Sequence, residues 1–399
     1  MPPIQSTSEK FLFEYKEELY IPQTKKQRIV VGLLKENHEL EQRVALTPFT
    51  VNFFVENGAE VLIESGAGEA SGFTDIDYSE AGGQIHNEQS VIFKADIIFK
   101  ISPLSVKQIG LMEKGKILIS TLNIRTLNTE YFKALSQKKV TAIALEYIRN
   151  RAGVLPFVQI MNEISGMTAV NFAANFYREK RGKLIGGIEG IKPAELVVFG
   201  SCSAIESAIR SAIGVGASVK VFDLSMEGLN RLQRAFGKNL YTSMIHSSIV
   251  NKELERADIV IGSVNSTCNL RQHLITEEQM HLIKKGALVI DLSIDKQPCF
   301  ETSKETTIKN PFYYWNGLTN IALPNFPSLV PRTASYAISN IFFEQFSNIS
   351  EITSMSQLFQ NIDTLRAGLY IYNGVLVNEE IAKYFNIPSQ DLGLILSAF

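Results

Sequence analysis

Cysteine, histidine and tryptophan are all scarce in this chain of 399 residues, which holds three, five and one of them respectively. Cys202, Cys268 and Cys299 are widely spaced, odd in number and without a CxxC pair. That argues against a disulfide framework and a structural zinc site, and fits a reducing, cytoplasmic compartment. Any imidazole chemistry is confined to His38, His86, His246, His273 and His281. No sign of charge predominates: 39 basic side chains stand against 41 acidic ones, for a formal charge of -2. The chain therefore lacks the global field that would draw a nucleic acid or an anionic membrane surface. It also lacks the run of ~20 apolar residues that a membrane-spanning helix needs. Residues 1–27 mix Phe11-Leu12-Phe13-Glu14-Tyr15 with charges and do not form the apolar core of a signal peptide. They read as an extension, either an amphipathic helix packed on the body or a contact arm. The expectation is a soluble protein with neither a nucleic-acid nor a membrane partner.

What is present is an ordinary globular composition, 45 % apolar and 20 % charged, in a chain longer than one core usually organises. From Arg28 onward, short apolar runs alternate with amphipathic segments. Ile29–Leu33, Glu60–Glu64, Asp96–Lys100, Lys116–Ser120 and Val140–Leu145 read as buried strands, and Pro48–Asn57 reads as a helix with proline in its first turn. A second series follows a long helix over Glu163–Glu179, with strands at Glu195–Gly200, Ser218–Asp223, Asp258–Gly262 and Ala287–Leu292. Strands separated by helices build parallel βαβ units, so two α/β domains are expected. Beyond Asn325, helical runs at Thr333–Gln345 and Asn378–Phe385 are too short a piece for a third core and should pack back on one of the two.

The sharpest local motif is a strand, Gly200, a helix, a strand and Asp223. In a dinucleotide-binding unit the first turn reads G-x-G-x-x-G, and an acid about 20 residues on takes the ribose hydroxyls. Here the turn is Gly200-Ser201-Cys202-Ser203-Ala204-Ile205. Cys202 stands where glycine lets the backbone approach a pyrophosphate, and Ile205 stands where glycine lets helix and strand pack closely. Two readings stay open: a working dinucleotide site, or a βαβ unit that has ceased to bind one. His273 and His281 flank Glu277 and Glu278 and are read as solvated polar residues, so no metal is expected. Cys202 lies near a helix start, where a thiolate is favoured, but is read as a small packing residue.

Several blocks carry a wider resemblance. These are Arg43-Val44-Ala45-Leu46-Thr47-Pro48, Glu64-Ser65-Gly66-Ala67-Gly68-Glu69-Ala70-Ser71, Met161-Asn162-Glu163-Ile164-Ser165-Gly166, Gly186-Gly187-Ile188-Glu189-Gly190, and Asn325-Phe326-Pro327 leading to Pro331-Arg332-Thr333. In this order, across Arg28 to Pro388, the chain resembles the alanine dehydrogenase and NAD(P) transhydrogenase alpha-subunit family, and is more similar to alanine dehydrogenase. The resemblance implies two doubly wound Rossmann-like domains with parallel sheets on either side of a cleft. It places a substrate domain at 28–155, a dinucleotide domain at 156–331, and C-terminal helices at 332–399 that return to the substrate domain. It also implies self-association, usually as a hexamer, with NAD as cofactor and a small 2-oxo or amino acid as substrate.

Carried over residue by residue, the resemblance makes Arg43 the holder of the substrate carboxylate and Lys100 the group that polarises the keto oxygen or imine. A guanidinium fork suits a planar carboxylate. Asp295 becomes the aspartate of the catalytic loop, Asn325 an asparagine near the nicotinamide, and Asn162, Gly200, Ser201, Cys202 and Asp223 cofactor contacts. The departures fall on the chemistry. Where the family has a histidine that moves protons as the carbinolamine forms and breaks down, this chain has Leu122-Asn123-Ile124. An amide exchanges no proton near neutral pH. Asp295 is followed by Lys296-Gln297-Pro298 in place of Gln-Gly-Gly, and a proline there restricts the loop and removes a donor. The expected function is an NAD-dependent oxidoreductase, L-alanine, NAD and water giving pyruvate, ammonium and NADH, with impaired proton transfer. The alternative is a catalytically inactive homologue that binds or assembles on the same fold.

Overall fold

A computed structural model describes residues 28–37, 39–264, 273–346 and 363–397. The extension at 1–27, His38 and Cys268 lie outside these. Fifteen strands run in chain order: β1 Val30–Leu33, β2 Glu60–Glu64, β3 Gln84–His86, β4 Ile97–Phe99, β5 Ile117–Ser120, β6 Thr141–Ala144, β7 Glu195–Phe199, β8 Ser218–Asp223, β9 Tyr241–Met244, β10 Ile259–Gly262, β11 Leu288–Asp291, β12 Tyr313–Trp315, β13 Leu318–Ile321, β14 Leu369–Tyr372 and β15 Val375–Leu376. They form two sheets, in the orders β15-β14-β6-β5-β4-β1-β2-β3 and β12-β13-β11-β10-β7-β8-β9. Each is doubly wound, with neighbouring strands parallel except at one edge. The expected α/β fold with two mostly parallel sheets is the one observed. The apolar runs become central strands because helices cover both faces. Every residue of β4, β5, β7, β10 and β11 is buried.

The edges differ from the helical tail expected beyond residue 332. β14 pairs antiparallel with β6 and turns into β15. A second antiparallel hairpin, β12–β13, closes the other sheet. Both turns are Asn-Gly pairs with positive φ at both residues, 47° and 77° at Asn316-Gly317 and 48° and 82° at Asn373-Gly374. That is the geometry of a two-residue type I′ turn, which matches the twist of the flanking strands.

One helix links the two units. It runs over Pro156–Arg181, seven residues longer at its start than the sequence suggested, because Pro156 sits at the first helical position. Its 26 residues extend ~39 Å at 1.5 Å each. Phe157, Met161 and Ile164 pack in the core of the first sheet with Phe54, Phe99, Phe342 and Phe346. Ala169, Val170, Ala173 and Phe176 pack in the core of the second, with Val198, Ile205 and Ile290. The helix Pro331–Gln345 returns to the first core through Ala334, Ile338 and Phe342. No helix among the described residues is long and apolar enough to cross a membrane.

Candidate functional site

In open α/β sheets, ligands bind outside the carboxyl ends of the strands where the winding reverses. The first sheet reverses between β1 and β4, and Leu34-Lys35-Glu36 and Lys100 leave those two strand ends side by side. Lys100 Nζ donates to Glu36 Oε2 at 2.6 Å, with both side chains buried. The other Glu36 oxygen accepts the Ile101 N–H at 2.5 Å. Burial pushes the Glu36 carboxyl up, against the pull of Lys100. A cavity of about 680 Å³ opens on this pair and is lined also by Glu64, Ser102, Gln108 and Asn128.

Arg43, expected to present a free fork, is already engaged. Its Nε and Nη2 donate to the two oxygens of Glu41 at 2.7 and 2.6 Å, and Nη1 lies 3.1 Å from the Met161 sulfur. Burial alone would raise Glu41, but the Arg43 guanidinium holds it below the ordinary carboxylate value. Asn325 reaches the same acid: its Nδ2 donates to Glu41 Oε2 at 2.8 Å and to Ser328 Oγ at 2.7 Å, and Ser328 donates to Glu41 Oε1 at 2.8 Å. Glu41 thus joins Arg43 to the segment leaving the second sheet. Asn162 is half-buried on the long helix, one residue past Met161.

Asn123 is exposed in the turn after β5, with φ at 39°. That left-handed conformation is one asparagine tolerates well. The turn is held by Glu146, which accepts the Leu122 N–H at 2.9 Å and the Asn123 N–H at 3.4 Å. Burial raises the Glu146 carboxyl above its ordinary value. Glu36, Glu41 and Glu146 all act electrostatically on Arg43. The structure therefore gathers Arg43, Lys100, Asn123 and Asn325 around three glutamates that motif reading passed over, Glu36 and Glu41 buried and Glu146 half-buried. Their signal in the sequence is slight: Glu36 comes three residues after an apolar strand, next to Lys35, and Glu146 interrupts the apolar run Ala142–Ile148.

The second sheet reverses between β7 and β10, and here lies the Gly200 turn. Gly200 adopts φ 107°, and a Cβ there would collide with the Ser263 carbonyl oxygen, so this glycine is obligatory. Cys202 precedes the helix Ser203–Gly214 as its N-cap and makes no side-chain cap bond. Its Sγ turns instead to Ser263 Oγ, 3.3 Å away at the end of β10. Ile205 is fully buried in the second core. The close approach expected of the third glycine is displaced to Gly166 on the long helix, where a Cβ would strike the Ala204 carbonyl, and Ser207 donates to the Glu163 carbonyl at 2.8 Å. Ser201 packs against Gly228, and its carbonyl accepts from Arg231. Asp223 ends β8, half-buried, with Oδ1 accepting the Ser225 N–H at 2.8 Å and its other oxygen available. The free first-turn N–H groups of the helix, the glycine cradle and Asp223 fit the phosphate and ribose of a dinucleotide. Cys202 narrows that cradle without filling it with its thiol.

Asp295 sits in the loop after β11, half-buried, and burial raises its carboxyl against Lys296 and Arg125. Asp291 anchors the loop by accepting the N–H groups of Ser293 and Cys299 at 3.0 and 2.8 Å. His273 Nδ1 meets the Pro298 carbonyl at 2.9 Å, and His281 packs against Trp315 with the rings tilted at 44°. Among the described residues no three metal-ligating side chains converge.

Two doubly wound sheets, one ending in buried cation–carboxylate pairs and the other in a glycine turn followed by a ribose-type aspartate, define the class as a two-domain Rossmann-like dehydrogenase architecture. The model of the alanine dehydrogenase/PNT N-terminal domain matches residues 32–165, and that of the C-terminal domain matches 169–379. The chain belongs to the alanine dehydrogenase/PNT family. It is 31 % identical over 373 residues to the alanine dehydrogenase of Mycolicibacterium smegmatis, covering 92 % of this chain and 100 % of that one. It is 30 % identical over 368 residues to that of Staphylococcus saprophyticus, covering 91 % and 99 %. A solved L-alanine dehydrogenase superposes with a TM-score of 0.82 at 28 % identity, over 90 % of this chain and 99 % of that one. A transhydrogenase from Sinorhizobium meliloti shares the fold, with a TM-score of 0.73 at 22 % identity over 88 % and 99 %. These relatives support an alanine dehydrogenase-like oxidoreductase.

Proposed function

We propose that this protein is an NAD-dependent oxidoreductase of a small amino or 2-oxo acid, most simply L-alanine, NAD and water giving pyruvate, ammonium and NADH. The observation that carries it is the pair of buried cations, Arg43 on Glu41 and Lys100 on Glu36, in a chain whose second sheet carries a turn that fits a dinucleotide. Bound NAD would supply the hydride acceptor, held by Gly200, Ser201, Cys202 and Asp223 with Asn162 and Asn325 nearby. Arg43 binds the substrate carboxylate through the N–H bonds that Glu41 leaves over. Lys100 donates to the substrate oxygen or nitrogen, and Glu36, 2.6 Å from its Nζ, takes up or returns the proton. Asn123 orients the substrate by hydrogen bonding and moves no proton, which leaves Asp295 as the second acid/base group.

Loss of a positioned acid/base group lowers rates by roughly 10²–10⁴-fold, so turnover is slow. Self-association is part of the proposal and is read by sedimentation. The test is NADH formation from L-alanine by the wild-type chain, alongside calorimetric titration with NAD and NADH. A second reading, a catalytically inactive homologue that binds or assembles on the same fold, is favoured by Asn123 at the position of the proton-transfer histidine. Absence of both binding heat and turnover overturns the first reading.

A further inference from the structure

The loop that carries Asp295 is reached from the first sheet by a charged side chain that no motif singled out. Arg125 lies two residues past Asn123. The backbone between them is fixed, because Glu146 holds the N–H groups of Leu122 and Asn123, and the Asn123 carbonyl accepts the N–H and the hydroxyl of Thr126 at 3.0 Å each. From this support Arg125 Nη1 donates to the carbonyl of Ile294, the residue before Asp295, at 3.4 Å. None of the ion pairs among the described residues involves Arg125. Its charge is therefore not spent on a neighbouring carboxylate. The charged groups facing Asp295 are Lys296 on its own loop and Arg125 across the cleft.

We propose that Arg125 is a positioning residue for Asp295: it ties the Asn123 turn of the first sheet to the Ile294–Asp295 loop of the second and brings its positive charge to the residue that precedes Asp295. The role that this gives Asp295 in proton transfer rests on the proposed dehydrogenase activity, whereas the tie itself does not. The physical logic is direct. Burial favours the protonated acid, and a nearby cation favours the carboxylate, so Arg125 adds to Lys296 in keeping Asp295 a usable base. In a chain whose Asn123 carries no proton, the cation two residues on governs the acid that remains.

The experiment uses the full chain without substrate or cofactor. Infrared carboxyl titrations of the wild type and of Arg125→Gln are each differenced against the same protein bearing Asp295→Asn, which isolates Asp295. Arg125→Gln is expected to move its protonation to higher pH, with a several-fold larger protonated fraction at neutral pH, and Arg125→Lys to move it back. Hydrogen exchange over Ser293–Pro298 is expected to quicken about tenfold in Arg125→Gln, with the rest of the chain unchanged. An Asp295 titration and a loop exchange rate identical to wild type in Arg125→Gln would overturn the proposal. A shifted titration in a protein that shows no turnover leaves the tie standing and removes the dehydrogenase reading instead.

Discussion

The two crevices where the sheets reverse are built on opposite principles. Outside β1 and β4 the space is taken by charge: Lys100 on Glu36, with Arg43 on Glu41 and Glu146 close enough to act on it. Outside β7 and β10 it is taken by uncharged backbone and small polar side chains, with Gly200 against the Ser263 carbonyl and Cys202 on the Ser263 hydroxyl. The first crevice depends on each ion keeping its partner, because an unpaired buried charge is expensive. The second depends on room, which a Cβ in the wrong place removes. The first crevice is therefore sensitive to loss of an ion, and the second to added side-chain volume.

The contrast breaks most sharply at Glu41. Glu41→Ala strands the Arg43 guanidinium and leaves Asn325 and Ser328 without their acceptor, and is expected to cost about 3–5 kcal/mol in urea unfolding. Next comes Asn123→His. The backbone there is left-handed, which histidine also tolerates, so the imidazole enters without refolding the turn. Turnover of L-alanine is expected to rise by roughly 10²-fold or more; an unchanged rate shows that the block lies in the second crevice. Gly200→Ala tests the other principle. With φ at 107° and a carbonyl in the way, it is expected to cost about 1–3 kcal/mol in thermal melts and to abolish dinucleotide binding.

The smallest effect is one of pH. The Glu146 carboxyl is raised from the ordinary 4.5, so its contribution to stability is full below 4.5 and is lost as pH climbs through its folded value. Glu41 is lowered, so its contribution is present above 4.5 and is lost as pH falls through its folded value. Melting temperatures across pH should therefore lose part of their decline above 4.5 in Glu146→Gln, Glu36 being raised in the same way, and part of their acid-side decline in Glu41→Gln.

The central strands were legible because a parallel strand buried on both faces must be a short apolar run, and Ile97–Phe99 or Ile259–Gly262 can be little else. The two edge hairpins were announced by Asn316-Gly317 and Asn373-Gly374, yet a search for apolar runs passes over strands as short as Val375–Leu376. Of the site, the cations Arg43 and Lys100 could be named from the resemblance to the family. Their partners could not, since a glutamate among charges reads as solvent-facing until the fold shows strand ends closing over it. Arg125 is harder still: what makes it matter is the position of Ile294, which lies 169 residues further along the chain.

The long helix has a thermodynamic consequence. Phe157, Met161 and Ile164 belong to one core, and Ala169, Val170 and Ala173 to the other, within a single unbroken ladder of backbone hydrogen bonds. Melting either core frays the rod on which the other is built. The two halves are therefore expected to share one cooperative transition in calorimetry instead of unfolding in turn, so that damage to either crevice that reaches its core lowers the melting temperature of the whole chain.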